Sequence, residues 1–267
     1  MGLIEEYLAL AVEMAQEAGD YANAINRSEL LIMTKSNPMD LVTEVDKRNE
    51  DVIREAIHMR YPDHEFLGEE SADLSPKSDR NDVVRWIVDP IDGTVNYAHG
   101  LPIWCVSIGV EVNGRVECGA IYNPNLHEMF ATQRGHGAYL NGKRLHVSQQ
   151  NNPSQSLFVT GFPYNVNEDP EHVIEQFVAF LRQGLVVRRL GSAALDLANV
   201  AAGRFDGFWE VGLSPWDTSA GQLMVREAGG RVTHYDGSDY DIHRRSIVAT
   251  SGVHHEKIMS ILKKGQH

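Results

Sequence analysis

Cysteine is scarce in this chain. Only Cys105 and Cys118 occur among 267 residues, which excludes a disulfide scaffold, and no C-x-x-C pair suggests zinc. Both lie in apolar runs flanking one expected hairpin, so they are expected as buried, reduced thiols. Long apolar runs are missing too: none approaches the roughly 20 residues that a membrane-spanning helix needs. The N-terminus MGLIEEYLALAVEM carries acids where a signal peptide has basic residues. Glu6 stands where a myristoylation signal has Ser or Thr. A cytoplasmic protein without membrane contact is expected. Basic residues are also few, 24 Lys and Arg against 37 Asp and Glu, for a formal net charge of −13. That balance speaks against nucleic-acid binding. A phosphorylated ligand stays possible, because bound metal ions can invert the local charge. Internal repeats and low-complexity tracts are absent.

What is present describes a globular α/β protein. Apolar residues recur with helical rhythm at Leu3, Tyr7, Leu8, Ala11, Met14, Ala15 and Ala18, predicting a helix over 3–24. A second is predicted over 44–60, before Pro62. Phe66 and Leu67 form a short strand candidate, 71–82 a polar loop, and 83–88 a buried strand. Asn113-Gly114 and Asn141-Gly142 each mark a hairpin. After a composition change near 150–156, helices (169–183, 192–203, 216–228, and from about His254) alternate with extended segments (185–187, 205–210, 231–235, 247–250). Two halves are expected, 1–150 and 151–267, forming one compact catalytic unit. His254 and His255 are expected on the surface at a helix start. Trp104, Trp209 and Trp216 are expected in the core or a site wall.

The chemistry concentrates in short acidic motifs. "WIVDPIDGT" delivers Asp89 to the end of the buried strand, Pro90 is expected to force a turn, and Asp92 lies in the same turn. Both carboxylates can then converge on one point. If a helix starts at Thr94, its N–H groups could hold a phosphate there. Carboxylates with backbone carbonyls suit Mg2+, a hard cation that prefers oxygen. The bland alternative is an Asp-capped turn. "GEES" places Glu69 and Glu70 on a loop, "PWDTSAG" places Asp217 at a helix start where the dipole favours an acid, and "DLVTEVD" places Asp46 before another helix. Each is weak alone.

Together, "GEES", "DPIDGT" after an apolar strand, and "PWDTSAG…EAGG" resemble the inositol monophosphatase family. That family lies within the Mg2+-dependent, lithium-sensitive phosphatase superfamily that includes fructose-1,6-bisphosphatase. "RRLGSAALDLANVAAGRFDGFWE" looks like the bacterial inositol-1-monophosphatase branch. The resemblance implies a layered αβαβα sandwich and a homodimer. It implies that Glu69, Asp89, the Ile91 carbonyl, Asp92 and Asp217 bind two or three Mg2+, and that Gly93 and Thr94 hold the phosphate. Gly191, Ser192 and Ala193 would line the substrate, together with the metal-site residues. Glu210 would accept hydrogen bonds from substrate hydroxyls, Asp46 would support Thr94 in orienting the attacking water, and that water would lie between Glu69 and Thr94. The implied reaction is hydrolysis of inositol 1-phosphate or a similar polyol or sugar phosphate. A nucleotide phosphatase acting on 3′-phosphoadenosine phosphates or NADP is the alternative within the same chemistry. An interaction protein on a phosphatase scaffold is the alternative outside it. Val95 replaces a second Thr of many members, and Ser214 stands where other members carry His or Arg, which leaves polyol preference open.

Overall fold

A computed structural model describes residues 2–26, 30–34, 40–71, 83–168 and 172–264. In chain order the elements are α1 (Leu3–Ala24), β1 (Ile32–Thr34), β2 (Leu41–Thr43), α2 (Glu44–Arg60), β3 (Glu65–Gly68), β4 (Val84–Asp92), α3 (Thr94–Ala98), β5 (Cys105–Val112), β6 (Arg115–Asn123), β7 (Glu128–Gln133), β8 (Gly137–Leu140) and β9 (Lys143–Arg144). There follow β10 (Leu157–Thr160), α4 (Val173–Arg182), β11 (Val186–Arg188), α5 (Ala193–Ala201), β12 (Gly207–Val211), α6 (Pro215–Glu227), β13 (Arg231–Thr233), β14 (Ser246–Thr250) and α7 (His255–Lys264). Most of the polar loop expected over 71–82 lies outside the described residues, as do 169–171 of the helix expected to start at 169.

β3 to β9 form one seven-stranded sheet in sequence order, antiparallel except for the β3–β4 pair. Five strands form a second, mixed sheet in the order β11-β10-β12-β14-β13. Strand alternation decides what covers each face. Trp86 and Val88 of β4, with Val106, Ile108 and Val110 of β5, pack under α1 and α2. Cys105, Ile121 and Phe130 face the other way, onto α5 and α6. Those two helices also receive Val159, Phe208, Ile247 and Ala249 from the second sheet. Phe158, Trp209 and Val248 alternate outward to α4 and α7. The result is the expected five-layer αβαβα sandwich, with α5 and α6 as its central layer.

Two glycines set how close that central layer comes. A Cβ on Gly109 would lie 2.4 Å from Ser219 Oγ, and one on Gly119 would lie 2.8 Å from Ala220 Cβ. Their missing side chains let α6 rest almost on the backbone of β5 and β6, which fixes the height of Asp217 above the sheet. Both Asn-Gly hairpins have positive φ at both central residues (52° and 77°; 48° and 76°), as a type I′ turn requires.

Three expectations need correction. The strand expected to stop at Val88 runs on to Asp92, and the turn expected from Pro90 is a bulge instead. Asp89 pairs with Ser107 and Asp92 with Cys105, so β4 carries one extra residue across that step. Proline is tolerated there because a bulge needs no ladder donor. His254 and His255 are buried, 4% and 0% exposed. His255 lies between Thr233 Oγ1 and Thr250 Oγ1, each 3.0 Å from a ring nitrogen, and His254 Nε2 is 2.9 Å from Ser156 Oγ. A polar ring this well partnered can be buried at small cost. Leu3, placed on the helix's apolar face by rhythm alone, is 59% exposed at the end of α1. Both cysteines are free and buried, as expected.

Candidate active site

The site gathers at the carboxyl ends of β3, β4, β10 and β12, and at the N-termini of α5 and α6. The bulge in β4 turns Asp89 and Asp92 to the same side. Asp217 reaches them from the first turn of α6. One ligand oxygen from each of Asp89, Asp92 and Asp217 lies within 4.8 Å of the other two.

Each of the three is anchored through one carboxylate oxygen. Asp89 Oδ1 accepts the Ile91 N–H at 3.0 Å. Asp217 Oδ2 accepts the Ser214 N–H at 2.6 Å, closing a capping box at the start of α6. The bland reading of Asp217 as a helix cap and its reading as a ligand therefore both hold. Asp92 Oδ2 accepts from Ser192 Oγ at 2.6 Å and from the Ala194 N–H at 2.7 Å. Asp92 thus sits on the N-terminus of α5, where free N–H groups and the dipole favour an anion. Burial still pushes its carboxyl upward; the hydrogen bonds from Ser192, Ala194 and Ala193 oppose that. Cys105 Sγ is 3.7 Å from the same oxygen.

Gly93 follows the bulge with φ +97°, and a Cβ there would meet Ile103 O at 3.0 Å and Gly191 O at 3.2 Å. Glycine is required both for the turn and for the close approach of the 190–192 loop. Asn96 clamps that loop, donating to Ile103 O and Leu190 O, each at 2.8 Å. Gly191, Ser192 and Ala193 are therefore brought to the bulge, although the Ser192 hydroxyl is engaged by Asp92.

Thr94 Oγ1 lies 3.0 Å from Asp46 Oδ1 and 2.9 Å from the Ile91 carbonyl. One hydroxyl proton serves one of these at a time. When Asp46 accepts it, the Ile91 carbonyl keeps its lone pairs for a cation. Asp46 is held by Thr43, whose side chain and backbone N–H both donate to Oδ2. Burial raises the Asp46 carboxyl to about 6 against those bonds.

Glu69 stands outside the three-acid group. Its N–H donates to Val88 O at 3.2 Å, extending the β3–β4 pairing so that it lies beside Asp89. Burial, then the charges of Asp40, Glu69, Asp217 and Asp92, raise the Tyr164 phenol. Glu210 is two residues on from Phe208 in β12 and faces the same central layer. Its carboxyl is pushed well up, by burial first and then by Asp217 and Asp92, with Arg189 opposing. A Cβ on Gly161 would fall 2.2 Å from Glu210 Oε2, so the β10 end is cut away to admit this side chain.

Sequence reasoning missed Asn96, Thr43 and Asp196. Asn96 lies two residues past "GT", and only the folded loop shows its purpose. Asp196 is 1% exposed on α5, its Oδ1 has no hydrogen-bond partner, and burial, then Glu210 and Asp92, raise its carboxyl. An acid amid "SAALDLANVAA" is a visible anomaly that could have flagged it.

Clustered buried carboxylates repel one another unless a cation or protons intervene. Three hard, anionic oxygens held by fixed backbone suit an oxygen-preferring divalent metal. Near them lie an anchored threonine hydroxyl, a glycine turn and the buried Glu210 carboxyl, which Asp217 and Asp92 raise. Fold and site together define a metal-dependent phosphatase. The profile of the inositol monophosphatase family matches residues 3–267. An inositol-1-monophosphatase of Synechocystis sp. is 40% identical over 261 residues, 97% of this chain and 89% of that one. The Nus factor SuhB of Pseudomonas aeruginosa is 39% identical over 249 residues, 92% of each chain. The structure of inositol monophosphatase from Anabaena (Nostoc) sp. PCC 7120 superposes with a TM-score of 0.85 at 39% identity, covering 98% of this chain and 97% of that one. The chain belongs to the inositol monophosphatase family and is a phosphatase.

Proposed function

We propose that this protein is a Mg2+-dependent phosphate monoester hydrolase whose preferred substrate is inositol 1-phosphate or a closely similar polyol phosphate. The observation that carries this is the meeting of Asp89, Asp92 and Asp217 within 4.8 Å, with the buried Glu210 carboxyl near enough to be raised by Asp217 and Asp92. Glu69, Asp89, the Ile91 carbonyl, Asp92 and Asp217 would hold two or three Mg2+. Bound there, Mg2+ lowers the pKa of a water, offsets phosphate charge and stabilises the leaving alkoxide.

The chain's own residues supply the rest. Gly93 and Thr94 present backbone N–H groups to the phosphate. Asp46 accepts the Thr94 hydroxyl proton, which leaves that oxygen able to accept from the attacking water, while Glu69 orients the water from the other side. Attack is in line, and no phosphoenzyme is invoked. Glu210 accepts hydrogen bonds from hydroxyls on the non-reacting part of the substrate. The backbone of Gly191 and Ala193 lines that part. In this reading residues 1–150 supply most metal ligands, and 151–267 the substrate wall plus Asp217. A homodimer in the cytoplasm is part of the proposal.

One relative's name, Nus factor, favours a second reading in which the fold serves as an interaction protein. The intact acid cluster supports catalysis instead. A phosphate-release assay with inositol 1-phosphate, an aryl phosphate, 3′-phosphoadenosine phosphate and NADP, with Mg2+ and with EDTA, tests all readings. Inositol 1-phosphate should give the highest kcat/KM. Preference for a nucleotide would overturn the substrate assignment, and no release from any ester would favour the interaction protein.

A further inference from the structure

α2 carries two buried carboxylates one turn apart. Asp46 holds Thr94. Glu50, 2% exposed, holds the loop after β3: its Oε2 accepts the Glu70 N–H at 2.7 Å. Gly68 rests directly on it. A Cβ at Gly68 would lie 2.3 Å from Glu50 Oε2 and 2.4 Å from its Cδ. Glu69 lies between those two points. The residue before it is fixed by contact with Glu50 and the residue after it by a hydrogen bond to Glu50.

Packing alone gives no reason for an acid here. The same helix buries Ile53 and Ile57 against α1 and β4, and an apolar side chain at position 50 would avoid the desolvation of a carboxylate. What an apolar residue cannot do is accept the Glu70 N–H. Residues four apart in a helix stand at a fixed rise of about 6 Å on the same face. A single rigid helix therefore sets the separation of the Glu69 loop from Thr94.

We infer that Glu50 is a positioning residue: its hydrogen bond to the Glu70 N–H sets where Glu69 presents its carboxylate, with Asp46 on the same helix face setting Thr94. This rests on the role proposed for Glu69. A misplacement of about 1 Å at such a group can cost on the order of a hundredfold in rate.

Two conservative variants separate the hydrogen bond from charge and bulk. Glu50→Gln keeps an acceptor of the same reach and loses the charge; Glu50→Asp keeps the charge and withdraws the acceptor by one methylene. Each, with Glu69→Gln as control, is measured three ways: Mg2+ affinity of the metal-free protein by titration calorimetry, kcat against Mg2+ concentration with inositol 1-phosphate, and melting temperature of the metal-free protein. Glu50→Asp should weaken Mg2+ binding about tenfold and lower kcat about ten- to hundredfold, with the melting temperature nearly unchanged. Glu50→Gln should stay within about threefold of wild type in both. The reverse order would show that charge matters and would overturn the inference. A lower melting temperature in Glu50→Asp with wild-type Mg2+ affinity and kcat would show a purely structural residue and would also overturn it. If Glu69→Gln cripples the enzyme while both Glu50 variants are normal, the inference fails and the site stands. If Glu69→Gln is itself silent, the role of Glu69 fails and takes the inference with it.

Discussion

The second sheet buries polar groups at both of its ends, and the two ends are built oppositely. At the amino ends of β10 and β12, His254 and His255 meet Ser156, Thr233 and Thr250, and each partner is neutral. At the carboxyl ends acid meets acid: Asp217 and Asp92 raise the Glu210 carboxyl, and Glu210 and Asp92 raise that of Asp196. The first end gives both histidine rings hydroxyl partners, and burial first of all lowers the His255 ring to about 4. The second leaves Asp196 with an unpartnered oxygen, and burial raises the Asp92, Asp196 and Glu210 carboxyls. Partnered neutral burial supports the fold. Crowded like charge costs stability, and it is kept where a cation and a substrate are to be received.

Substitutions at the two ends should therefore separate activity from stability. The largest effect is expected from Asp92→Asn. It removes one charge from the acid cluster and keeps an oxygen able to accept from α5. Turnover of inositol 1-phosphate should fall roughly a thousandfold or more, from several kcal/mol of lost transition-state stabilisation. The melting temperature of the metal-free protein should hold or rise. Wild-type turnover at saturating Mg2+ would show that the cluster is not the reaction centre.

Next comes Glu210→Gln, which keeps volume and weakens acceptance. Charge-assisted hydrogen bonds contribute about 1.5–3 kcal/mol, so kcat/KM for inositol 1-phosphate should drop about ten- to hundredfold. An aryl phosphate without those hydroxyls should lose far less. Equal losses on both would place Glu210 in the metal site or the fold.

A smaller effect concerns Asp46. Its carboxyl, raised to about 6, is protonated at lower pH and is then a much weaker acceptor for the Thr94 proton. Activity should rise with pH through about 6, and Asp46→Asn should remove that limb at reduced rate. A limb unchanged in the variant would assign it to another group.

The smallest concerns the amino end. Unfolded histidine takes up its proton near 6.5, whereas buried His255 does so near 4. Between those values the unfolded chain binds more protons, so stability rises with pH through the window and is lost as pH falls from about 6.5 to about 4. Urea unfolding across that range should show a shallower slope in His255→Asn, with turnover per folded molecule at neutral pH unchanged. A turnover loss there would couple the two ends.

Much of the fold was legible because its signals are local. The helical rhythm of 3–24 and the two Asn-Gly turns follow from neighbours in sequence. Asp89, Asp92 and Asp217, which the fold brings together, were legible as motifs, each beside a strand end or helix start. What escaped depends on distant segments. Pro90 reads as a turn until β5 pairs across it and makes a bulge. His254-His255 reads as a solvated helix start until Thr233 and Ser156, far off in the chain, supply partners. Asn96 and Glu50 look like ordinary surface or helix residues until the loops that they clamp, at Leu190 and Glu70, come into place.

The most direct test of the central claim, that the acid cluster is a metal site that hydrolyses phosphate esters, is a Mg2+ titration of EDTA-stripped protein. Phosphate release from inositol 1-phosphate is followed alongside calorimetric Mg2+ binding, for wild type and Asp92→Asn. Wild type should be inactive when stripped and recover fully at millimolar Mg2+. Asp92→Asn should bind Mg2+ more weakly and stay nearly inactive at any concentration. Full activity in EDTA, or unaltered Mg2+ binding without the Asp92 carboxylate, would contradict it.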